Sequence, residues 1–223
     1  TTWRERRRAI VPAFHTAWLR RMVKLFTECG EELTQSLDEH AADGTEVNIE
    51  AKYSSVALDV IGKAVFNYNF KSVKQQSGVI DAVYGLMQEA EHRSFFLLPY
   101  WKVPIFGHSL LGVGPIVPRQ QKFQSDLALV NDALNTLIAE TLKSKSDEEV
   151  EELVVRDYDR MENPSLLRFL VDMRGADATE RQLRDDLMTM LIAGHETTAA
   201  LLTWATNCLV THPTEMARVQ AEL

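Results

Sequence analysis

The most unusual chemistry in this sequence lies in Ala193-Gly-His-Glu-Thr-Thr198, within a long segment of helical periodicity. Glycine costs about 1 kcal/mol relative to alanine inside a helix, and a carboxylate among apolar residues is expensive unless it has partners. Natural sequences break local rules of this kind mainly at functional sites. The stretch therefore predicts a helix that has been modified to carry a reaction.

The residue types in this stretch suit proton transfer beside a small bound molecule. Without a side chain, Gly194 lets a flat or diatomic group approach the backbone. The hydroxyl of Thr197 can donate to the carbonyl of Ala193, which opens a local groove in the helix. Glu196 adds an ionisable group that can relay protons. The alternative is that the glycine and the threonines only pack closely against a neighbouring helix.

The adjacent His195 and Glu196 also raise the possibility of a zinc peptidase. That motif needs a second histidine four positions after the first, and position 199 is alanine. The interpretation of His195 as a metal ligand therefore fails. We expect His195 to be a packed or solvent-facing histidine.

A second group of residues, near the start of the chain, suits the binding of an anion. Trp3 and Arg7 are four positions apart, so on a helix they share one face. An indole N–H beside a guanidinium forms a donor pair for a carboxylate or a phosphate. A basic cluster at a helix start is more often simply solvated, and contact with RNA or a membrane surface is a further alternative.

Helical periodicity dominates the sequence and predicts a mainly α fold, whose longest helix positions residues 193–198. Asn48 and the capping pattern Thr179-Glu-Arg-Gln182 predict two helix starts. Prolines and glycines among large apolar residues predict an ordered apolar loop between about 95 and 118. We expect helices over about residues 14–40, 48–66, 78–93, 119–142, 164–171 and 180–210, and another from 213.

Composition excludes several classes of protein. The 223 residues include 24 Lys and Arg against 32 Asp and Glu, a formal net charge of −8, and 45% hydrophobic residues. The apolar fraction excludes wholesale disorder, and the acidic balance argues against a nucleic-acid binder. Cys29 and Cys208 form no Cys-x-x-Cys pair that could hold a metal. The chain begins beside the Trp3 run and ends within a helical pattern, so we expect part of a longer protein.

Taken together, the two motifs resemble the cytochrome P-450 superfamily of heme-thiolate monooxygenases. Trp3-x-x-x-Arg7 is similar to the helix that holds a heme propionate in that family, and Pro12-Ala-Phe14 follows it as in many members. Residues 193–198 resemble the oxygen-binding groove of the long central helix. His212-Pro213 followed by Glu222 resembles the start of the next helix.

The sequence is more closely similar to the carotene-hydroxylase branch of plants and algae. The stretch 107–114 looks longer than in that branch. The similarity rests on the strings Asn48-Ile-Glu-Ala-Lys-Tyr53, Leu58-Asp-Val-Ile-Gly62, Phe66-Asn-Tyr-Asn-Phe70, Leu98-Pro-Tyr-Trp-Lys102, Pro118-Arg-Gln120, Pro164-Ser-Leu-Leu-Arg-Phe-Leu170 and Leu183-Arg-Asp-Asp-Leu-Met-Thr-Met-Leu-Ile192.

The resemblance implies that residues 1–223 are the central helical part of a single cytochrome P-450 domain. We therefore expect the N-terminal sheet region and the C-terminal heme-ligand region of that domain to lie outside this chain. Neither Cys29 nor Cys208 lies in the glycine-rich context of the family's iron ligand, so the axial cysteine is expected outside this chain. We therefore expect the 223 residues alone to be inactive.

The resemblance also implies a function and the residues that perform it. The expected cofactor is heme b (iron protoporphyrin IX), with O2 as co-substrate, and the expected reaction is hydroxylation of a carotenoid ring in the plastid. Glu196 and Thr197 would be catalytic, as donors of protons during oxygen activation. The expected partners are an apolar substrate, a ferredoxin- or reductase-type electron donor and a membrane surface, with no nucleic acid. The apolar loop near Phe95 to Phe106 would cap substrate access, and its composition is equally compatible with contact to the protein core or to a membrane surface. The cofactor-binding residues would be Trp3, Arg7, Ala193, Gly194 and Thr198.

Two other functions remain compatible with the residues alone. The first is an all-helical interaction module without a cofactor, in which residues 193–198 only pack closely. The second is a nucleic-acid binder that uses the arginines near Trp3, which the net charge makes the weakest candidate.

Overall fold

The computed structural model describes residues 2–14, 16–74, 78–104, 106, 116–143, 167 and 179–222. Among these residues, every regular element longer than one residue is a helix or a 3-10 turn, which confirms the predicted mainly α class. They are α1 Thr2–Ile10, a 3-10 turn Val11–Phe14, α2 Thr16–Asp43, α3 Ile49–Phe66, α4 Gly78–Phe95, a 3-10 turn Tyr100–Lys102, α5 Pro118–Lys143, α6 Glu180–Thr211 and α7 Pro213–Glu222.

The helix ends follow from local side-chain chemistry that the sequence already contains. Asn48 caps α3, where its Oδ1 accepts a hydrogen bond from the Ala51 N–H at 3.0 Å. Asn67 ends the same helix in the left-handed region, at φ 53°. Thr179 caps α6, because its Oγ1 accepts from the Gln182 N–H at 3.2 Å. Of the helix predicted over 164–171 only Leu167 is described, and it is helical.

The chain divides into two compact units, residues 1–76 with 141–223, and residues 77–140. We call them the first unit and the second unit. The single partial domain over 1–223 that the resemblance implies stays a prediction. None of the described helices has the length and apolar character needed to cross a bilayer.

In the first unit, α3 packs against both α6 and α2. Leu58 of α3 and Leu187 and Leu191 of α6 are at most 1% exposed. Burial of one leucine side chain stabilises a fold by about 1.5–3 kcal/mol, so these contacts hold α6 firmly in place. A smaller core between α2 and α3 contains Cys29 and Val56. The helix with the candidate site is therefore fixed along one side.

A buried carboxylate fixes the chain that follows α3. Asp59 is 3% exposed, and its two oxygens accept hydrogen bonds from the backbone N–H groups of Ser72 at 2.9 Å and Val73 at 3.1 Å. Ser72 and Val73 are buried as well. A buried N–H without a partner is costly. Asp59 therefore stabilises the segment around Ser72 and Val73 and its packing against α3.

In the second unit, a buried carboxylate joins α4 to α5. Glu89 is 2% exposed and accepts hydrogen bonds from Arg93 Nε at 2.8 Å, Arg119 Nε at 2.5 Å and Gln120 Nε2 at 2.5 Å. Burial alone would raise the pKa of Glu89. The hydrogen bonds from Arg93, Gln120 and Arg119 outweigh burial and hold that pKa below its ordinary value of 4.5.

The lowered pKa of Glu89 predicts an acid-sensitive second unit. A carboxyl whose folded-state pKa lies below its unfolded value contributes stability above the unfolded value, and this is lost as the pH falls through the folded pKa. We therefore expect the urea concentration at the unfolding midpoint to be lower at about pH 3.5 than at about pH 6. The fall should be smaller in Glu89→Gln than in the control Glu91→Gln, whose carboxyl is on the exposed side of α4. An equal fall in both variants would contradict this prediction.

Candidate functional site

The predicted hydrogen bond within the 193–198 stretch is present in α6. Thr197 Oγ1 donates to the carbonyl oxygen of Ala193 at 2.7 Å. Both residues lie on the exposed side of the helix. A hydroxyl that donates to its own helix directs its lone pairs outward, where they can accept a hydrogen bond from water or from a bound group. The hydrogen bond that the sequence predicts is thus present, and the proton-transfer role of Thr197 stays a prediction.

Gly194 provides a close approach between two helices. A Cβ atom added at Gly194 would clash with the side chain of Ile61, on α3. Because Gly194 has no side chain, the Ile61 side chain can pack directly against the backbone of α6. This is the contact that the packing alternative expects of Gly194. The expected contact of Gly194 with a bound molecule stays a prediction.

Three of the expected cofactor-binding residues, Ala193, Gly194 and Thr198, line one cavity in the first unit. The cavity measures about 710 Å³, and its lining is mostly apolar. This volume lies in the range of sites for small organic ligands. Further lining comes from α2, including Met22 and Phe26, and from α3.

The exposed side of α6 is largely apolar around Thr197. Ala193 and Thr197 are followed on this side by Leu201 and Trp204, which are 69% and 67% exposed. The spacing of three to four residues places them in one stripe along the helix. Monomeric proteins rarely leave large apolar side chains exposed in a contiguous stripe. This face therefore fits a flat, apolar group lying against the helix.

Glu196 and His195 occupy different environments although they are neighbours. Glu196 is half-buried, so its carboxylate keeps some access to water. His195 is 1% exposed, and burial lowers its pKa below the ordinary value of 6.5. His195 is therefore a core residue that is neutral at pH 7, as the packed alternative predicted. Of the two, only Glu196 is placed to exchange protons with solvent.

The Trp3–Arg7 pair on α1 has the arrangement that the sequence predicts. The Arg7 Cζ atom lies 5.6 Å from the centroid of the Trp3 ring, and both side chains are exposed. This is a cation–π contact, and it shows that both side chains lie on the same side of α1, from which the indole N–H and the guanidinium can donate to one anionic group. Phe14, in the turn after α1, lines the 710 Å³ cavity, but Trp3 and Arg7 do not.

Neither cysteine suits an iron ligand. Burial raises the pKa of the Cys29 thiol above its ordinary value of 9.0, although the Lys63 ammonium opposes the shift. A metal ligand must be a thiolate, so the 1% exposed Cys29 is unsuited. Cys208 is exposed near the end of α6. In the part of the chain that the structure describes, no three metal-ligating side chains lie together. The chemistry of the Trp3–Arg7 pair suits a heme propionate and the apolar side of α6 suits a flat ring, whereas neither cysteine suits the iron.

Sequence reasoning missed the residues of α3 that position α6. Ile61 fills the space beside Gly194. The hydroxyls of Tyr53 and Thr206 are joined by a hydrogen bond of 2.7 Å that links α3 to the C-terminal half of α6. No local pattern in the sequence indicates either contact. Only the unusual glycine in α6 signals that some group must approach there.

Comparison with known proteins gives a consistent result along the whole chain. A family model described as cytochrome P-450 matches residues 1–223. The chain is 52% identical over 229 residues to the chloroplastic cytochrome P-450 97B2 of Glycine max. It is 46% identical over 221 residues to the chloroplastic protein LUTEIN DEFICIENT 5 of Arabidopsis thaliana. It is 42% identical over 222 residues to the chloroplastic carotene epsilon-monooxygenase of the same species.

These alignments cover nearly all of this chain but only part of each relative. They take in 100%, 99% and 99% of the chain, and 38%, 36% and 40% of the three relatives in the same order. The chain therefore spans about two fifths of the length of the curated relatives it matches. With a family model that matches every residue, the chain belongs to the cytochrome P-450 family.

Proposed function

We propose that this chain is the middle part of a plastid heme monooxygenase that hydroxylates a carotenoid ring. Family membership supports the monooxygenase, and the relative named carotene epsilon-monooxygenase supports the substrate class. The relatives named chloroplastic support the plastid location. One oxygen atom of O2 would enter the substrate, and the electrons would come from a ferredoxin- or reductase-type partner.

The observation that carries the proposal is the hydrogen bond from Thr197 Oγ1 to the Ala193 carbonyl on the exposed, apolar side of α6. It holds a hydroxyl at a fixed position beside a surface that suits a flat apolar group. In the proposed reaction, the Thr197 hydroxyl turns away from the Ala193 carbonyl, donates its proton to the oxygen co-substrate bound beside the helix and takes a proton from a neighbouring water molecule. The half-buried Glu196 carboxyl group, once it has taken up a proton from solvent, returns a proton to that water.

Residues of α1 and of α6 would hold the heme. Trp3 and Arg7 would bind a propionate, and Ala193, Gly194 and Thr198 would border the space beside the ring. When bound, heme contributes the oxygen chemistry, tuned by its axial ligand. The protein side of the reaction consists of orientation, exclusion of water by the apolar face, and proton delivery at Thr197.

The described part of the apolar loop that follows α4, residues 95–104, suits contact with apolar molecules; residues 105 and 107–115 lie outside the described part of the chain. Phe95, Leu97 and Leu98 are 79%, 99% and 78% exposed, which is unusual for side chains of this size. We propose that this loop admits the carotenoid, which is itself a long apolar molecule, and that it does so at a membrane surface. The exposed arginines of α1 suit an acidic electron donor.

The proposed function is tested by isotope incorporation. A full-length protein that contains this chain is supplied with a ferredoxin-type donor, a carotene and isotopically labelled O2. We expect one labelled oxygen atom in a ring hydroxyl group and the other in water. A hydroxyl oxygen that comes from water, or no hydroxylated carotenoid from a heme-loaded protein, would contradict the proposal.

The propionate role of Arg7 gives a separate prediction. A charge-assisted hydrogen bond contributes about 1.5–3 kcal/mol, so Arg7→Ala should weaken heme binding roughly 10-fold or more in the full-length protein. Heme titration of the apoprotein, followed by absorbance, measures the affinity. Arg8→Ala is the matched control, because Arg8 is also exposed on α1 but points about 100° away around the helix. Equal affinities in the two variants would remove Arg7 from the heme site.

The second candidate is a helical interaction module without a cofactor. The close contact of Ile61 with Gly194 favours it, because it explains the glycine by packing alone. This candidate requires the 223-residue chain to fold by itself. A cooperative thermal transition of the isolated chain, with no binding of heme by the full-length protein, would favour the module over the monooxygenase.

A further inference from the structure

A series of contacts connects the buried Glu89 carboxylate to the apolar loop that follows α4. Its first link is Arg93, whose Nε donates to Glu89 Oε1 and whose Nη2 donates to Gln120 Oε1 at 2.9 Å. Arg119 holds the second carboxylate oxygen and also donates to the Gln88 carbonyl at 3.1 Å. Both Glu89 oxygens are thus occupied by donors from two helices, and the Arg93 guanidinium is fixed in one orientation.

The next link joins Arg93 to the loop. Its guanidinium carbon lies 4.1 Å from the centroid of the Phe123 ring and 5.3 Å from that of Trp101. Phe123 belongs to α5, whereas Trp101 is in the 3-10 turn Tyr100–Lys102 within the apolar loop. A guanidinium that contacts two rings and pairs with a buried carboxylate cannot shift without losing several interactions. The position of Trp101 therefore depends on Arg93, and through it on Glu89.

Aromatic contacts continue this series of contacts into the loop. The Trp101 ring meets Tyr100 edge-on at 5.4 Å, and Tyr100 meets Phe96 edge-on at 5.8 Å. His92 of α4 is hydrogen bonded to the Tyr100 hydroxyl at 3.2 Å and lies 4.5 Å from the Phe96 ring. The residues at the tip of the loop are almost fully exposed, so burial does not determine its shape. The aromatic cluster behind the tip does.

We propose that Glu89 is a positioning residue for the apolar substrate, because it fixes Arg93 and thereby the loop through which that substrate enters. This inference rests on the proposed function, in which the loop admits a carotenoid. Glu89 is 2% exposed and does not contact the substrate itself. Its effect is on the capture of a long apolar molecule and not on the chemical step.

The test uses Glu89→Gln in a full-length protein that contains this chain, with Glu91→Gln as the matched control. Both variants lose one negative charge on α4, but the Glu91 side chain is exposed. We expect Glu89→Gln to raise the KM for a carotene roughly 3- to 30-fold with kcat changed less than about twofold. Acrylamide quenching of Trp101, taken as the difference from a Trp101→Phe partner of each protein, should increase in Glu89→Gln alone.

Two further measurements separate the possible failures. If Glu89→Gln does not fold, Trp101→Leu replaces it, because this change leaves the buried carboxylate intact and should raise the same KM. If the KM of Glu89→Gln stays within twofold of the wild-type value, or if Trp101 quenching is unchanged, the positioning role of Glu89 is overturned while the proposed function stands. If the heme-loaded wild type hydroxylates no carotenoid, the proposed function fails, and this inference fails with it.

Discussion

Replacing Thr197 by alanine is expected to lower the amount of hydroxylated product per electron consumed by roughly 10- to 100-fold in a full-length protein that contains this chain. The variant loses the hydroxyl that Thr197 holds at 2.7 Å from the Ala193 carbonyl. A positioned proton-transfer group contributes about 100-fold or more, but water can occupy part of the space that the hydroxyl leaves. We expect electron consumption to continue, so the loss should be in coupling. The measurement is product formed against electron donor oxidised.

The structure offers a matched control for this experiment. Thr189 is exposed on α6 two turns earlier, and its Oγ1 donates to the Asp185 carbonyl at 2.9 Å, the same type of bond. Thr189→Ala removes this bond and changes helix propensity in the same way. If both variants lose coupling equally, the effect comes from the helix and not from a proton relay. If neither loses it, Thr197 has no role in proton delivery.

Replacing Asp59 by alanine is expected to destabilise the protein by about 3 kcal/mol or more. The carboxylate accepts hydrogen bonds from the buried N–H groups of Ser72 and Val73, and the variant leaves both donors without a partner. Each such loss costs about 1–3 kcal/mol. Since folded proteins are stable by only about 5–15 kcal/mol, this is a large fraction of the total. The shift of the urea midpoint measures it.

Asn69→Ala is the control for Asp59. The Asn69 Oδ1 also accepts a hydrogen bond from a backbone N–H, that of Lys71 at 2.9 Å, but the bond is exposed and water can replace it. We expect Asn69→Ala to cost less than about 1 kcal/mol. Asp59→Asn keeps one acceptor oxygen and should fall between the two. Equal midpoints for Asp59→Ala and Asn69→Ala would show that the chain after α3 does not depend on Asp59.

Features that depend on neighbouring residues could be predicted from the sequence. Asn48 and Thr179 cap their helices because the acceptor and the donor are three positions apart. The bond from Thr197 to Ala193 is equally local, since it spans one helical turn. The Trp3–Arg7 pair follows from helical spacing as well. For such features the sequence contains both partners within a few residues.

Features that depend on packing between distant segments could not be predicted. The sequence shows that Gly194 is unusual in a helix, but not that Ile61 of α3 occupies the space beside it. Likewise, an acidic residue in the middle of α4 gives no sign that Arg119 and Gln120 of α5 bind it. The burial of His195 depends on how α6 is covered, which its neighbours in sequence do not determine. Tertiary contacts decide these positions.

The proposed function requires the complete protein to be a heme-thiolate protein, and the carbon monoxide difference spectrum measures this property. A full-length protein that contains this chain, loaded with heme and reduced, should show the thiolate-type band. The 223-residue chain under the same conditions should not, because Cys29 is buried with a raised pKa and Cys208 lies outside any ligand motif. A strong thiolate-type band from the chain alone would contradict the expected position of the iron ligand outside this chain. The lack of that band in the full-length heme protein would contradict the proposed function.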